Sequence, residues 1–498
     1  MVFRIHFSFF VLIFSCSLSI GQNLKTFKPY KFNLNYNYLN QTPFNGGFYK
    51  SGLKKITFKP NGEKKPTKVV KLDKGYMGSR LVPFNGGLVH IYLPDVRLSL
   101  NAKGCDEQIL WLTERDLDLN EINSFKFSEI KQKIGSIPFA NYLIKSDQDS
   151  FLLAFSEKVS IYPETHIQLG TNAQLKKLDE SREIAFFTLF DHKLKTLTTG
   201  KYDFGIKKGY VRKRFHHLFN DGDFMMGINH SQVNSSLADG WKIALMDKES
   251  NVSEILVSLN EYNMLESNIQ FNDSMIYLTG LAGDMENLKK PIGTFKIEIY
   301  RKSMEIKNKI VVKFKEQLSN DLYQDITSKY LYYEGSSIRA NDGYCYYTIR
   351  KISYADNGSI VLGKQFILSL NNNNQLSYNT HGGGMALIAR TMNTNLAFIH
   401  DDKACLLFSS FGRYGHPHYD QMKSAKNWEK AIRKMVKNPE DGKVYYMEMS
   451  AGSIDKEGFV VNEKNDALKG AWKCMIDDNV HPGKFLVLYE GRMLKIGL

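Results

Sequence analysis

The pentapeptide Pro43-Phe44-Asn45-Gly46-Gly47 returns unchanged as Pro83-Phe84-Asn85-Gly86-Gly87, each time leading into an apolar or aromatic run. An internal copy of this kind confines the chain to repeat architectures, in which one supersecondary unit buries its apolar surface only against its neighbours. Looser copies follow at Asn220-Asp221-Gly222-Asp223, Asn272-Asp273, Asn341-Asp342-Gly343 and Asp401-Asp402. Each precedes a run that reads as a buried strand, such as Phe224-Met225-Met226 or Cys405-Leu406-Leu407-Phe408.

A second signal lies downstream of several of these turns, where two β-like runs meet at Asn61-Gly62, Asp247 to Asn251, Asp356-Asn357-Gly358 and Asp455 to Gly458. Asn-Gly and Asp-x-Gly tolerate the positive φ that tight hairpins need, so these segments are expected to be hairpin tips. Turn, strand, hairpin and strand, recurring every ~40 to 75 residues, is the rhythm of four-stranded blades arranged radially. The chain therefore resembles β-propellers as an architecture. The resemblance implies an all-β fold of seven or eight irregular four-stranded blades over residues 22–498, with tandem β-sandwiches as the alternative. No individual propeller family is matched. No Gly-His and Trp-Asp pair spans a blade as in WD repeats, no Trp follows Gly46-Gly47 or Gly86-Gly87, and Ser453 to Gly458 is one residue too long for a sialidase-type Asp-box.

Helical spacing is expected in two insertions. One spans Tyr419 to Val436, where Met422, Ala425, Trp428, Ile432 and Met435 share a face, and a weaker one lies between Leu119 and Ile134. The C-terminal runs Lys484 to Tyr489 and Arg492 to Ile496, joined at Glu490-Gly491, read as strands that close the last unit.

Residues 1–21 have the form of a secretory signal, with Arg4, an apolar run from Phe7 to Phe14 and small residues at Ser19 and Gly21, which places cleavage before Gln22. A lipid anchor on Cys16 is the lesser alternative. Nothing later in the chain is long and apolar enough to be a transmembrane span, so an exported ectodomain in the cell envelope or outside it is expected. Four cysteines then remain, Cys105, Cys345, Cys405 and Cys474, as disulfides or as buried thiols. The net charge of +14 is concentrated in lysine groups such as Lys50 to Lys74 and in Lys207 to Arg214. Solvated strand faces explain such runs, and nucleic acid is not expected as a partner outside the cytoplasm.

The densest polar segment is Gly412-Arg413-Tyr414-Gly415-His416-Pro417-His418-Tyr419-Asp420. In an extended chain His416, His418 and Asp420 share one face, a geometry suited to a metal or to acid–base chemistry, with Arg413 available to hold a substrate carboxylate and Tyr414 beside it. Thr380-His381-Gly382-Gly383-Gly384 is similar to the oxyanion loop of esterases, but no Gly-x-Ser-x-Gly elbow accompanies it. Arg214, His217 and His381 are candidates for ligand contact. No complete catalytic, metal or cofactor motif is present. The reading is a binding or scaffold protein for an envelope protein, peptide or glycan, with a polysaccharide hydrolase or lyase using His416 and His418 as the alternative.

Overall fold

The computed structural model describes residues 24–497 apart from 32–40, 52–54, 61–62, 64, 73–75, 79–80, 95–106, 132–137, 160–181, 208–210, 231–239, 286–289, 325–330, 355–359, 382–383, 387–394, 411–442, 462–471, 478–483 and 490–491. The chain is all-β, and the described strands form seven sheets that are antiparallel except where the first strand, 24–31, runs parallel to the strand at 453–461. No helix among the described residues is long and apolar enough to cross a membrane.

After β1 (Leu24–Lys31), sheet 1 runs β2 (Gln41–Phe44), β3 (Gly47–Ser51), β4 (Lys55–Pro60) and β5 (Lys68–Lys71) in spatial order. Sheet 2 sets β6 (Tyr76–Gly78) and β7 (Val82–Phe84) on β8 (Gly87–Pro94), followed by β9 (Glu107–Arg115) and β10 (Glu121–Lys131). Sheet 3 is β11 (Pro138–Lys145), β12 (Phe151–Val159), β13 (Arg182–Asp191) and β14 (Thr196–Lys207). Sheet 4 is β15 (Val211–Leu218), β16 (Phe224–His230), β17 (Gly240–Met246) and β18 (Val252–Ser258). Sheet 5 is β19 (Asn263–Phe271), β20 (Met275–Gly283), β21 (Pro291–Tyr300) and β22 (Ile306–Lys313), and the helix α1 (Glu316–Gln324) follows it.

Sheet 6 contains β23 (Leu331–Arg339), β24 (Cys345–Tyr354), β25 (Ile360–Leu362), β26 (Gln365–Leu370), β27 (Leu376–His381) and β28 (Gly384–Ala386). Sheet 7 begins with β29 (Asn395–His400), β30 (Lys403–Ser410), β31 (Lys443–Ser450) and β32 (Ser453–Val461). It continues through β1 into β35 (Arg492–Gly497), β34 (Lys484–Tyr489) and β33 (Trp472–Asp477), so the N-terminal strand lies between the last two groups of strands.

The repeated pentapeptide has one structural meaning in both places. Asn45 and Asn85 share φ 49°, with Gly46 at 70° and Gly86 at 78°, the positive pair of a two-residue type I′ turn. The second glycine answers to a different demand. A Cβ at Gly47 would lie 2.6 Å from the Lys59 carbonyl oxygen, and one at Gly87 would lie 2.9 Å from that of Arg115, so the third strand fits only against a bare backbone. The expected turns at 220–223, 247–251, 272–273, 341–343 and 401–402 are all present between strands.

The apolar residues form cores between consecutive sheets. In β16, buried along its whole length, Met225 joins the core shared with sheet 5 while Met226 joins the core shared with sheet 3. This two-sided burial is why Phe224-Met225-Met226 reads as an unbroken apolar run. Sheets 1 and 2 share Tyr49, Phe58 and Leu88, and sheets 2 and 3 share Ile91, Leu112 and Phe190. Sheets 5 and 6 meet through Leu281, Tyr347 and Leu368, with Leu318 and Leu322 of α1 added, and sheets 6 and 7 through Tyr346, Leu406 and Met447. The first strands of neighbouring sheets lie together, as β19 does with β23 and β23 with β29.

Two sequence expectations need correction, and three lie outside the described residues. Residues 121–131, read as helical, form β10, whose register shifts twice, between Glu121 and Asn123 and between Lys126 and Ser128. Each bulge resets the inward–outward alternation and leaves a spacing that imitates a helix. The hairpin tip assigned to Asp455–Gly458 falls instead at Ala451-Gly452, both with positive φ, and 455–458 continue β32. The helix expected over Tyr419–Val436 and the turns at 61–62 and 356–358 lie outside the described residues.

Both C-terminal strands form where expected, and β35 pairs with β34 on one side and with β1 on the other. Deleting Glu490 to Leu498 removes the partner of both. The melting temperature of the truncated protein should drop by more than ~5 °C, and a curve overlaying the intact protein would show that this pairing contributes nothing to stability.

Candidate functional site

The sheets have two unlike ends. At one, the turns between first and second and between third and fourth strands are short and internally bonded. Asp116, Asp191, Asp247 and Asn371 each accept, through Oδ1, the backbone N–H of the residue four positions later, at 2.8, 2.9, 2.8 and 2.8 Å. The residue before that donor has positive φ each time, at Leu119, Leu194, Ser250 and Asn374. These turns are also tied across sheets. The Asn85 N–H donates to Asp149 Oδ2 at 3.2 Å, and the Gln148 N–H to Asn220 Oδ1 at 3.0 Å. Arg301 Nη2 donates to Asp221 Oδ2 at 2.5 Å, and the Ala451 N–H to Asp342 Oδ2 at 2.8 Å. Burial opposes ionisation of Asp221, but hydrogen bonds from Arg301 and Lys302 hold its carboxyl well below the usual range.

The opposite end carries the long connections, between Val159 and Arg182, between Ser410 and Lys443, and between Val461 and Trp472, as well as α1. Arg413, Tyr414, His416 and His418 lie outside the described residues, but the strands that flank them are clear. β30 and β31 pair directly up to Ser410 and Lys443, so the connection leaves and returns side by side at this end.

A buried polar layer lies at the base of that connection, between sheets 6 and 7. His381, 3% exposed at the end of β27, presents its ring edge-on to Phe408 of β30 and Tyr445 of β31, with centroids 5.4 and 5.1 Å apart. Gln365 is its direct partner in the β26–β27 ladder and is fully buried. Arg350 of β24, 1% exposed, donates from Nη2 to Asn395 Oδ1 at 3.3 Å, and Asn395 in turn pairs with Phe408. An imidazole, a guanidinium and two amides thus converge beneath Ser410 and Lys443. All four are buried.

The remaining sequence candidates are elsewhere. Arg214 is exposed on β15. His217, on the same strand but nearer the short turns, is half-buried between Phe219 and Phe271, at 4.5 and 4.1 Å, and burial lowers its pKa. The structure does not bring Arg214, His217 and His381 together.

A second polar group, with no linear signature, joins sheets 4 and 5. Lys213 pairs with Glu266 and donates to the Ser267 carbonyl at 3.0 Å. Trp241 Nε1 and Asn229 Nδ2 donate to Ser267 Oγ at 2.9 and 3.3 Å. Desolvation raises the Glu266 carboxyl above its ordinary value despite Lys213. Asn229, the first residue of a potential glycosylation sequon, is buried with its amide engaged in these bonds. Cys345 and Cys405 are buried free thiols. Among the described residues no group of three or more His, Cys, Asp or Glu is placed to hold a metal.

No family model matches the chain, and no curated protein matches it. Among solved structures it aligns with a polysaccharide lyase, Uly1, at 11% identity over 78% of this chain and 90% of that chain, with a TM-score of 0.32. A variant of the Synechocystis apocarotenoid oxygenase aligns at 11% identity over 72% and 76%, TM-score 0.34. The dihydro-heme d1 dehydrogenase NirN aligns at 10% identity over 92% and 70%, TM-score 0.36. Likeness at this level carries no argument for any of their activities.

Glu266 gives a pH signature. Its folded pKa lies above its ordinary value, near 4.5, so the native state holds the proton more tightly than the unfolded chain and stability is lost as pH rises through the folded pKa. Glu266→Gln should remove that loss, which amounts to at most about 1.4 kcal/mol per pH unit. Lys213, exposed and still bonded to the Ser267 carbonyl, is not left stranded. Denaturant curves with the same pH dependence in both proteins would contradict this assignment.

Proposed function

We propose that this chain is an exported binding protein, a β-propeller whose long-connection end holds a protein, peptide or glycan partner. The propeller reading draws support from sheets 2 to 6, each of which buries both faces in two different cores, whereas a sheet of a two-layer sandwich shares one. In this reading β33, β34 and β35, completed by β1, form an eighth blade, and the N-terminal strand closes the ring. The signal-like residues 1–21 supply the export, and the long connections the recognition surface.

The observation that carries the proposal is the difference between the two ends. Short turns bonded to one another across sheets leave few groups to meet a partner, while the other end combines long connections with the Arg350–Asn395 and His381 layer. Because β30 and β31 already pair at Ser410 and Lys443, residues 411–442 can be replaced by Asn-Gly without stretching either strand. Glycan and peptide arrays should give a defined ligand for the intact protein, with binding at least tenfold weaker after the replacement. Binding that survives the replacement would remove the recognition surface from this end.

A second reading is a polysaccharide hydrolase or lyase in which His416 or His418 acts as base, Arg413 holds a substrate carboxylate and Tyr414 lies alongside. Under it, release of reducing or unsaturated ends from anionic polysaccharides should disappear in His416→Ala and His418→Ala. Equal activity in both variants would exclude these histidines from chemistry.

A further inference from the structure

Half of the net charge of the protein belongs to one sheet. Residues 41–74, which carry sheet 1, hold nine lysines against Glu63 and Asp73, a surplus of seven in a chain of net charge +14. Strand register divides these lysines unequally between the two faces.

Tyr49, Ile56 and Phe58 turn toward sheet 2 and join its core. Lys68, the ladder partner of Phe58, lies on that same face, where it pairs with Asp118 and donates to the Leu117 carbonyl at 3.2 Å. Ladder partners share a face and successive residues alternate, so Lys50 of β3, Lys55 and Lys59 of β4 and Lys71 of β5 all lie on the other one. The positions between them on that face are Phe48, Thr57 and Val69, none of them acidic.

Lys55 and Lys71 stand directly opposite each other, a like-charged pair that works against the ladder. Among the described residues none of the four lysines has an ion pair or a hydrogen bond. Lysines of other sheets are matched, as Lys145 is with Asp149, Lys242 with Glu254, and Lys403 and Lys456 with Glu448. Protection of an open edge accounts for lysine on the outer strand β5. It does not account for Lys50 and Lys59, because β3 and β4 are each paired on both sides.

The four positions extend roughly 13 Å along the strands and about 10 Å across them, room for several charges of one polymer. A lipid-facing surface would need apolar groups to insert, and Val69, 54% exposed, is the one large exposed apolar residue of sheet 1 among the described residues. A surface for single-stranded nucleic acid would need exposed rings for stacking, and sheet 1 shows none among the described residues.

We propose that this face of sheet 1 binds an anionic polysaccharide, a chain bearing carboxylate or sulfate groups, laid across β3 to β5 against Lys50, Lys55, Lys59 and Lys71. An anionic group between Lys55 and Lys71 replaces their repulsion by attraction to a shared partner. The surface is separate from the connection at 411–442 and does not rest on it.

The test uses the whole protein and two fluorescently labelled probes, dextran sulfate and polygalacturonate, followed by anisotropy. Saturable binding to at least one is expected, weakening as salt screens the charges. Lys55→Glu with Lys71→Glu keeps a like-charged pair at exposed sites, so the melting curve should stay in place while binding weakens by roughly tenfold or more. Lys50→Gln with Lys59→Gln should weaken it too, since the central strands belong to the surface. Lys193→Glu with Lys195→Glu, exposed on a turn of sheet 3, changes the net charge equally and should leave binding unaltered. So should replacement of 411–442 by Asn-Gly, which distinguishes this surface from the long-connection end. No saturation with either probe, an equal loss in the Lys193 and Lys195 variant, or a loss on replacing 411–442 would overturn the proposal. Anionic phospholipid vesicles, single-stranded DNA or polyglutamate bound in preference to both polysaccharides would overturn it as well, each by naming a different occupant.

Discussion

Everything in this structure depends on sheets that are apolar on both faces. A strand such as β16, with Met225 and Met226 pointing to opposite sides and both fully buried, cannot rest against a single partner. Each large side chain covered in this way is worth roughly 1.5–3 kcal/mol, so an uncovered face would forfeit several at once. Stacking sheet upon sheet satisfies both faces in turn, and the order of the cores along the chain follows from that requirement. It also sets a condition at the ends of the series. Tyr446, Leu407 and Val460 of sheet 7 are buried, and β32 continues through β1 into the C-terminal strands.

Tight turns close one end of the stacked sheets. Two chemistries form them. Asn-Gly supplies consecutive positive φ values at 45–46 and 85–86. An Asp or Asn side chain reaching four residues ahead supplies a bonded frame at 116, 191, 247 and 371. The frames then bond to those of neighbouring sheets, and the buried Arg301, stacked 4.0 Å from the centre of the Phe219 ring, joins Asp221 and Asp223 across one such boundary. The long connections lie at the other end.

This division explains what was legible in the sequence. Asn-Gly and Asp-Gly are strong local signals, so the turns that open buried strands could be placed from residues alone, and so could the C-terminal pair of strands. The frame in which an Asp or Asn bonds four residues ahead is equally regular, yet at Asp116 and Asp191 no glycine marks it, and the left-handed position falls on leucine in both. Such a position is recognisable only when the hydrogen bonds are seen. β10 was obscured for a related reason, since two bulges break the period-two pattern that identifies a strand. The polar groups at Arg350–Asn395 and Lys213–Glu266–Ser267 join residues from different sheets, 45 and more than 50 positions apart, and spacing along the chain holds no trace of them.

Buried polar groups also show where packing alone would have chosen otherwise. Arg350, Gln365, His381 and Asn395 occupy an interface that apolar side chains fill elsewhere, as Ile367, Leu406 and Phe408 do a few ångströms along the same faces. Replacing buried charged groups by apolar residues of similar volume is often neutral or stabilising, so their presence is not accounted for by stability. At the short-turn end the comparable groups have a structural task, because Arg301 ties two sheets together through paired carboxylates. At the long-connection end the polar layer lies directly under the strands from which 411–442 emerges, the segment with the densest set of chemically capable side chains in the sequence.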